Sequence, residues 1–268
     1  MNSFWLNQLR KDFLWDLSYK ITFFGQFAGI FITVLTFFFI SETFGVSNSD
    51  YLTAYQNNYF LFSVLGIAAL DLISSTIKAI AFKIREAQTF GYLDAILNSK
   101  VNNLYMFTSM MIYPFLKGFS KLLIYLLFSS FFIDINLSFE KILYLFVISI
   151  ACIFPFIFLA VLSACFVLMY KQGDPINFLT TMILSLFSGI VYPIQVLPIW
   201  MQDISNALPS THTIDWMRFV ILESEKFDFS NVSLFLPALI SVISVGISYT
   251  VLLRVIFYIR LNGTSNKY

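Results

Sequence analysis

Asp71 is the one carboxylate deep inside a long apolar run, between Leu70 and Leu72 and just ahead of Ser74, Ser75 and Thr76. A charge at membrane depth costs roughly 3 kcal/mol or more, so it must face a bundle interior, a wet cavity or a partner. Two uses fit it. It lines a pathway, or it is held by a neighbouring helix or a water-filled vestibule. No lysine, arginine or second acid is paired with it along the sequence, which makes a proton relay a poor fit. The other reactive types are sparse. Cys152 and Cys165 share one apolar run, and thirteen helical residues rise roughly 20 Å, beyond disulfide reach. They read as small buried apolar residues. His212 is the single histidine, so no zinc site can be assembled from these residues. No G-x-x-x-x-G-K-[ST] occurs, so the sequence offers no P-loop for ATP. An intramembrane enzyme would need clustered His, Asp, Ser or Cys within its spans, and none is seen.

The elements that must carry these residues are set by composition. The 268 residues are 59% hydrophobic, 19% aromatic and 12% charged, with a net charge of +1. Too few charges exist to cover a water-facing surface, and no basic excess exists to hold nucleic acid. The surface must face lipid over most of its area. The 33 phenylalanines read as lipid-facing packing rather than as stacking platforms for sugars. Arg10, Lys11, Asp12, Asp16 and Lys20 interrupt the first residues, so a cleavable leader is not expected.

Six runs are long enough to span a bilayer: 21–40, 59–81, one somewhere in 104–133, 142–170, 176–197 and 234–258. Unbroken apolar stretches such as Phe37-Phe38-Phe39-Ile40 lack the alternation of a barrel strand, so the spans are helices. The expected fold class is an all-α polytopic membrane protein. Residues 1–20 form an interfacial helix with Trp5, Leu9, Phe13 and Leu17 at spacing four. A six-helix bundle fills 21–258, and a tail covers 259–268. Lys117 and Lys121 share a helix face, and Pro114 suggests a break before them. Asn103–Tyr113 is then a separate interfacial helix or an inward extension of the third span. With the N-terminus inside, nine Lys/Arg fall in cytoplasmic segments and only Lys141, Arg218 and Lys226 fall outside. That asymmetry puts both termini in the cytoplasm.

Two connecting segments stand out. The inner one, within 83–103, has Lys83, Arg85 and Glu86, then Gly91, then Leu93, Ile96 and Leu97 at helical spacing, with Asp94 off the stripe. Its apolar face needs a receiver, either the membrane surface or a groove on a cytosolic protein. The outer one, 189–225, is cut by Pro193, Pro198 and Pro209 into short helical pieces and reads as a re-entrant or interfacial hairpin. Ser210 or Thr211 can cap a following helix on which Asp215 and Arg218, three apart, can pair. Arg218 either contacts an anionic headgroup or braces the corner by tying Asp215 and nearby carbonyls. His212 is read mainly as a bracing hydrogen-bonder, with a pH switch as the other use.

These segments resemble the membrane-spanning subunits of ABC transporters of the ABC-2 export type. Arg85-Glu86 followed by Gly91-Tyr92-Leu93-Asp94-Ala95-Ile96-Leu97 is similar to that family's charged pair and coupling helix. Ser188-Gly189, Tyr192-Pro193, Leu197-Pro198, Trp200-Met201-Gln202, Leu208-Pro209, Thr211-His212 and Arg218 resemble its external hairpin. Asn98-Ser99-Lys100 departs from the Thr-Pro found there in many members. The resemblance implies a permease that exports a drug, lipid, peptide or glycan from the cytoplasm across the inner (plasma) membrane. It implies pairing with a second copy or a homologous permease above two ABC ATPase subunits, which would bind ATP and Mg. Arg85, Glu86, Gly91, Leu93, Asp94 and Leu97 would couple to the ATPase. Gly189, Tyr192, Pro193, Pro198, Trp200, Pro209, Thr211, His212 and Arg218 would form or support an external gate. An ion-coupled secondary transporter or channel is the alternative. It should show several intramembrane ionisable residues or an inverted repeat, and the sequence shows one acid and no clear repeat.

Overall fold

The computed structural model describes residues 2–44, 50–98, 103–170, 174–222, 243–248, 250–255 and 257. Among these residues all the regular secondary structure is helical and no strand occurs. The helices are α1 (Asn2–Ser18), α2 (Lys20–Phe44), α3 (Tyr59–Thr89), α4 (Leu93–Leu97), α5 (Asn103–Ser129), α6 (Phe139–Ile153), α7 (Ile157–Tyr170), α8 (Pro175–Phe187), α9 (Ile199–Ala207) and α10 (Pro209–Leu222). Further apolar helix lies within Ile243–Val255. The tail at 259–268, residues 99–102 of the inner segment and the end of the outer segment from residue 223 lie outside the described residues.

The 31 residues of α3 are the axis of the molecule. Their length of about 46 Å exceeds the ~30 Å of bilayer hydrocarbon. Asn58 caps its start, its side chain accepting from the Leu61 N–H at 3.0 Å. Leu65, Leu72, Ile73 and Ile80 are almost fully buried. Helices α2, α5 and α7 pack around it. By contrast α2 lies at the rim, with Ile21, Phe24, Ile32 and Phe39 exposed. An apolar helix bare on its outer face is suited to lipid rather than water.

Four helical runs are long and apolar enough to cross a membrane: Lys20–Thr43, Tyr59–Thr89, Tyr105–Ser129 and Phe139–Tyr170. The last comprises α6 and α7, joined by a turn at Phe154–Phe156 where Pro155 removes a backbone donor. Of the expected six, the third takes one of its two open forms and the fifth differs. The third runs unbroken through Pro114, so Asn103–Tyr113 is an extension of the span; one lost backbone bond does not outweigh packing on both sides. The fifth, expected over 176–197, ends at Phe187 after 13 residues. At about 20 Å it is too short to cross alone. Of the sixth, 234–258, residues 234–242, 249, 256 and 258 lie outside the described residues, and the rest is helical.

Helix α1 packs against α5 and α2, and its Asp12 pairs with Lys83 near the end of α3. Leu6, Phe13, Leu14 and Leu17 point outward and are exposed, while Asp12 is buried. The carboxylates Asp12 and Asp16 of α1 therefore face the protein while much of its apolar side faces away, the inverse of a soluble surface helix. The stripe at spacing four splits, because Trp5 turns inward to meet Tyr105 edge-on at 5.2 Å.

Candidate functional site

The two ends of α3 carry the two segments singled out by the sequence. At the α10 end, irregular backbone needs donors. After α8, Gly189 turns the chain at φ +63, in the left-handed region, and a Cβ there would lie 2.9 Å from Ile194 Cγ1. The following carbonyls are answered by Arg218, whose side chain is 1% exposed. Its Nη2 donates to Gly189 O at 2.8 Å and Ile190 O at 3.0 Å. Nε and Nη2 donate to Phe62 O of α3 at 3.2 and 3.1 Å. Nη1 donates to Asp215 Oδ1 at 3.0 Å, and the guanidinium lies 3.5 Å over the Phe62 ring. Tyr55 donates to the same Asp215 oxygen at 3.0 Å. Burial first, then the Asp215 carboxylate, raise the Tyr55 phenol above its usual range. The geometry gives Arg218 the bracing role, since a side chain this buried cannot reach a headgroup.

The close approach depends on Gly66 of α3. A Cβ at that position would meet Ile190 O at 2.3 Å and Arg218 Nη2 at 2.8 Å. Nothing in the spacing of the outer segment points to Gly66, Phe62 or Tyr55. A glycine inside an apolar helix was the available signal, because it weakens the helix unless something needs the space.

Helix α10 starts at Pro209, so neither Ser210 nor Thr211 caps it. The Ser210 hydroxyl instead meets Ser188 Oγ at 2.6 Å. The Thr211 side-chain oxygen is buried without a partner among the described residues. His212 Nε2 lies 2.9 Å from Asn206 O, which ties α9 to α10. Tyr192 donates to Leu186 O at 2.6 Å. Pro193 precedes the short turn Ile194–Val196, and Pro198 precedes α9. Gln202 Nε2 donates to Leu197 O at 2.7 Å. Val196, Ile199 and Trp200 are exposed, so the segment is pinned on its inner side and apolar outside.

At the opposite end of α3, Gly91 (φ +74) lets the chain leave the helix. Its N–H donates to Gln88 O at 3.3 Å, and the Tyr92 N–H donates to Ala87 O at 3.0 Å. Tyr92 folds back, its hydroxyl donating to Glu86 Oε1 at 3.3 Å. Burial and the Glu86 carboxylate push the Tyr92 phenol up to about 12, so the donor persists at neutral pH. Arg85, Phe90 and Gly91 are exposed and Asp94 is half-buried. One expectation is corrected here. Leu93 is 5% exposed and packs with Ile96 against the chain's own core. Of the apolar stripe of α4, Leu93 and Ile96 are received by this protein, so Leu93 is not available to a partner's groove. The Leu97 side chain lies outside the described residues.

Asp71 is held by a neighbouring helix, one of the uses expected of it. It is not alone: Lys121 Nζ of α5 lies 3.1 Å from its Oδ2. Both face a cavity of about 250 Å³ that opens between α1, α2, α3 and α5. Asp12 pairs with Lys83, and Asp16 pairs with Lys117 while accepting from the Tyr113 hydroxyl. The structure therefore shows Asp71 held by Lys121 at the wall of a cavity. No grouping of His, Cys, Asp and Glu able to hold a metal occurs among the described residues. Cys152 and Cys165 are free and buried.

Long apolar helices, an inverted interfacial helix and a buried arginine serving broken backbone define a polytopic helical membrane protein. The family profile described as ABC-2 type transporter matches residues 9–222, so the chain belongs to the ABC-2 type transporter family and is a permease subunit of an ABC transporter. Comparison with individual curated proteins returns no match.

Proposed function

We propose that this permease exports its cargo, of the drug, lipid, peptide or glycan class, out of the cytoplasm. Permeases of this family work in general with an ABC ATPase. Here a pair of separate ATPase subunits would bind ATP and Mg and close, and two permease copies, or this chain and a homologous permease, would rock in response. The end of α3 bearing Arg85, Glu86, Gly91 and Asp94 would face the cytoplasm, with both termini there and the protein in the inner (plasma) membrane. The exposed turn at Phe90–Gly91 and the charge of Arg85 offer the contact, while Tyr92 and Glu86 stiffen it. The outer segment, from Gly189 to Arg218, would form the gate.

The observation that carries this reading is that one helix, α3, is fastened at one end to the outer segment through Phe62 and Arg218 and ends at the exposed Phe90–Gly91 turn at the other. A rigid rod of this kind transmits a push as a rigid-body movement. The Asp71–Lys121 pair balances its own charge, which disfavours the ion-coupled alternative. The test is co-purification with the ATPase and transport-linked ATP hydrolysis in lipid. Arg85→Glu should leave the complex folded while ATP hydrolysis loses its dependence on cargo. Unchanged cargo-linked hydrolysis in that variant would count against the docking site.

A further inference from the structure

The cavity between α1, α2, α3 and α5 is unbalanced. Five lysines line it, Lys11, Lys78, Lys83, Lys117 and Lys121, against Asp12, Asp16, Asp71 and Glu86. Three acids are taken by lysines: Asp12 by Lys83, Asp16 by Lys117 and Asp71 by Lys121. Glu86 accepts from the neutral Tyr92 hydroxyl and keeps its charge, so five lysines against four carboxylates leave the lining one positive charge in excess. Lys11 and Lys78 remain without a carboxylate partner among the described residues, and both are exposed. Lys78 stands on α3 inside a run long and apolar enough to cross a membrane. An ammonium held there without an anion is costly, and snorkelling toward a headgroup is the usual relief. The rim of the cavity is apolar: Phe82, 66% exposed, lies one helical turn beyond Lys78, and Trp15 of α1 is 45% exposed. Beside it the outward faces of α1 and α2 are bare.

We infer that this cavity binds the phosphate headgroup of an anionic membrane phospholipid, with Lys11 and Lys78 as the counter-charges and the acyl chains lying along the Trp15 and Phe82 rim. The inference needs only a membrane location and does not depend on the direction of transport or on the ATPase. Charge complementarity selects the headgroup, and the apolar rim selects a lipid over a soluble phosphate. A zwitterionic lipid has no net charge to offer and binds more weakly.

The full chain, purified in detergent and exposed to mixed micelles of phosphatidylglycerol and phosphatidylcholine, tests this by counting retained lipid with native mass spectrometry. The wild type should retain phosphatidylglycerol preferentially. Each lost lysine charge near the surface should reduce that preference roughly five-fold. Lys78→Gln and Lys11→Gln should each do so, and the double variant should lose about twenty-five-fold. Lys78→Arg should keep the preference, and Lys20→Gln, on α2 outside the cavity, should leave it unchanged. Helical circular dichroism and a single gel-filtration peak exclude unfolding as the cause. Two results would overturn the inference: a double variant as selective as wild type, or inorganic phosphate alone displacing the lipid at equal concentration. If Lys78→Gln does not fold, a Lys11→Gln variant that folds and keeps full selectivity has the same force.

Discussion

Replacing Arg218 with Met removes one side chain and orphans several groups at once. Gly189 O and Ile190 O lose the donor at 2.8 and 3.0 Å, while Asp215 keeps only the Tyr55 hydroxyl among its two partners here. Each buried carbonyl left without a donor costs about 1–3 kcal/mol. Phe62 O sits in a helix and keeps its backbone partner, so it adds little. The sum, about 3–5 kcal/mol, agrees with the usual cost of removing one member of a buried charged pair. At roughly 2–4 °C per kcal/mol for a chain of this size, unfolding should begin ~6–20 °C lower. The protein supplies its own reporter, because Cys152 and Cys165 are free and buried. A thiol-reactive fluorophore becomes bright only as they are uncovered on heating. Arg218→Lys keeps the charge but lacks the fork needed to serve carbonyls on two elements, so it should fall between the two. An Arg218→Met variant that unfolds with the wild type, yet no longer responds to cargo, would refute the brace and return Arg218 to a ligand-contacting role.

Gly66→Ala should destabilise by about 3 kcal/mol in the same thermal assay, because the new methyl would overlap Ile190 O, at 2.3 Å. Gly189→Ala should cost about 1–2 kcal/mol, since an L-residue is strained at φ +63. Lys121→Met should destabilise by leaving the half-buried Asp71 unpaired, and Asp71→Asn in the same chain should recover most of the loss, with the coupling read from the double-mutant cycle. Tyr92→Phe should cost about 1 kcal/mol or less through the lost bond to Glu86, with its larger effect on cargo-linked ATP hydrolysis.

The helical fold was legible because hydrophobic runs and lysine spacing report on solvent directly. Asp215 and Arg218 were legible as a pair because they stand three apart on one helix, and the three prolines marked where the outer segment breaks. What could not be read was anything set by contact between distant residues. Lys121 and Asp71 are 50 residues apart, so no local pattern links them. Gly66 shows its purpose only once Ile190 lies against it. The early end of α8 at Phe187 was hidden because the apolar run continues through Ile190 and Val191, and hydropathy does not distinguish helix from irregular backbone that a buried arginine supports. The Leu93 stripe was visible as amphipathic, but periodicity does not tell which body buries it.

The most direct measurement follows a single thiol on the outer segment while the ATPase is driven. Val196 is exposed, and Cys152 and Cys165 are buried, so Val196→Cys gives one reactive position. In lipid with the ATPase subunits, the rate of labelling by a membrane-impermeant reagent should change on adding ATP and Mg, and Arg85→Glu should abolish the change while leaving the basal rate intact. A labelling rate indifferent to nucleotide, or one that shifts equally with the ATPase omitted, would contradict mechanical drive through α3.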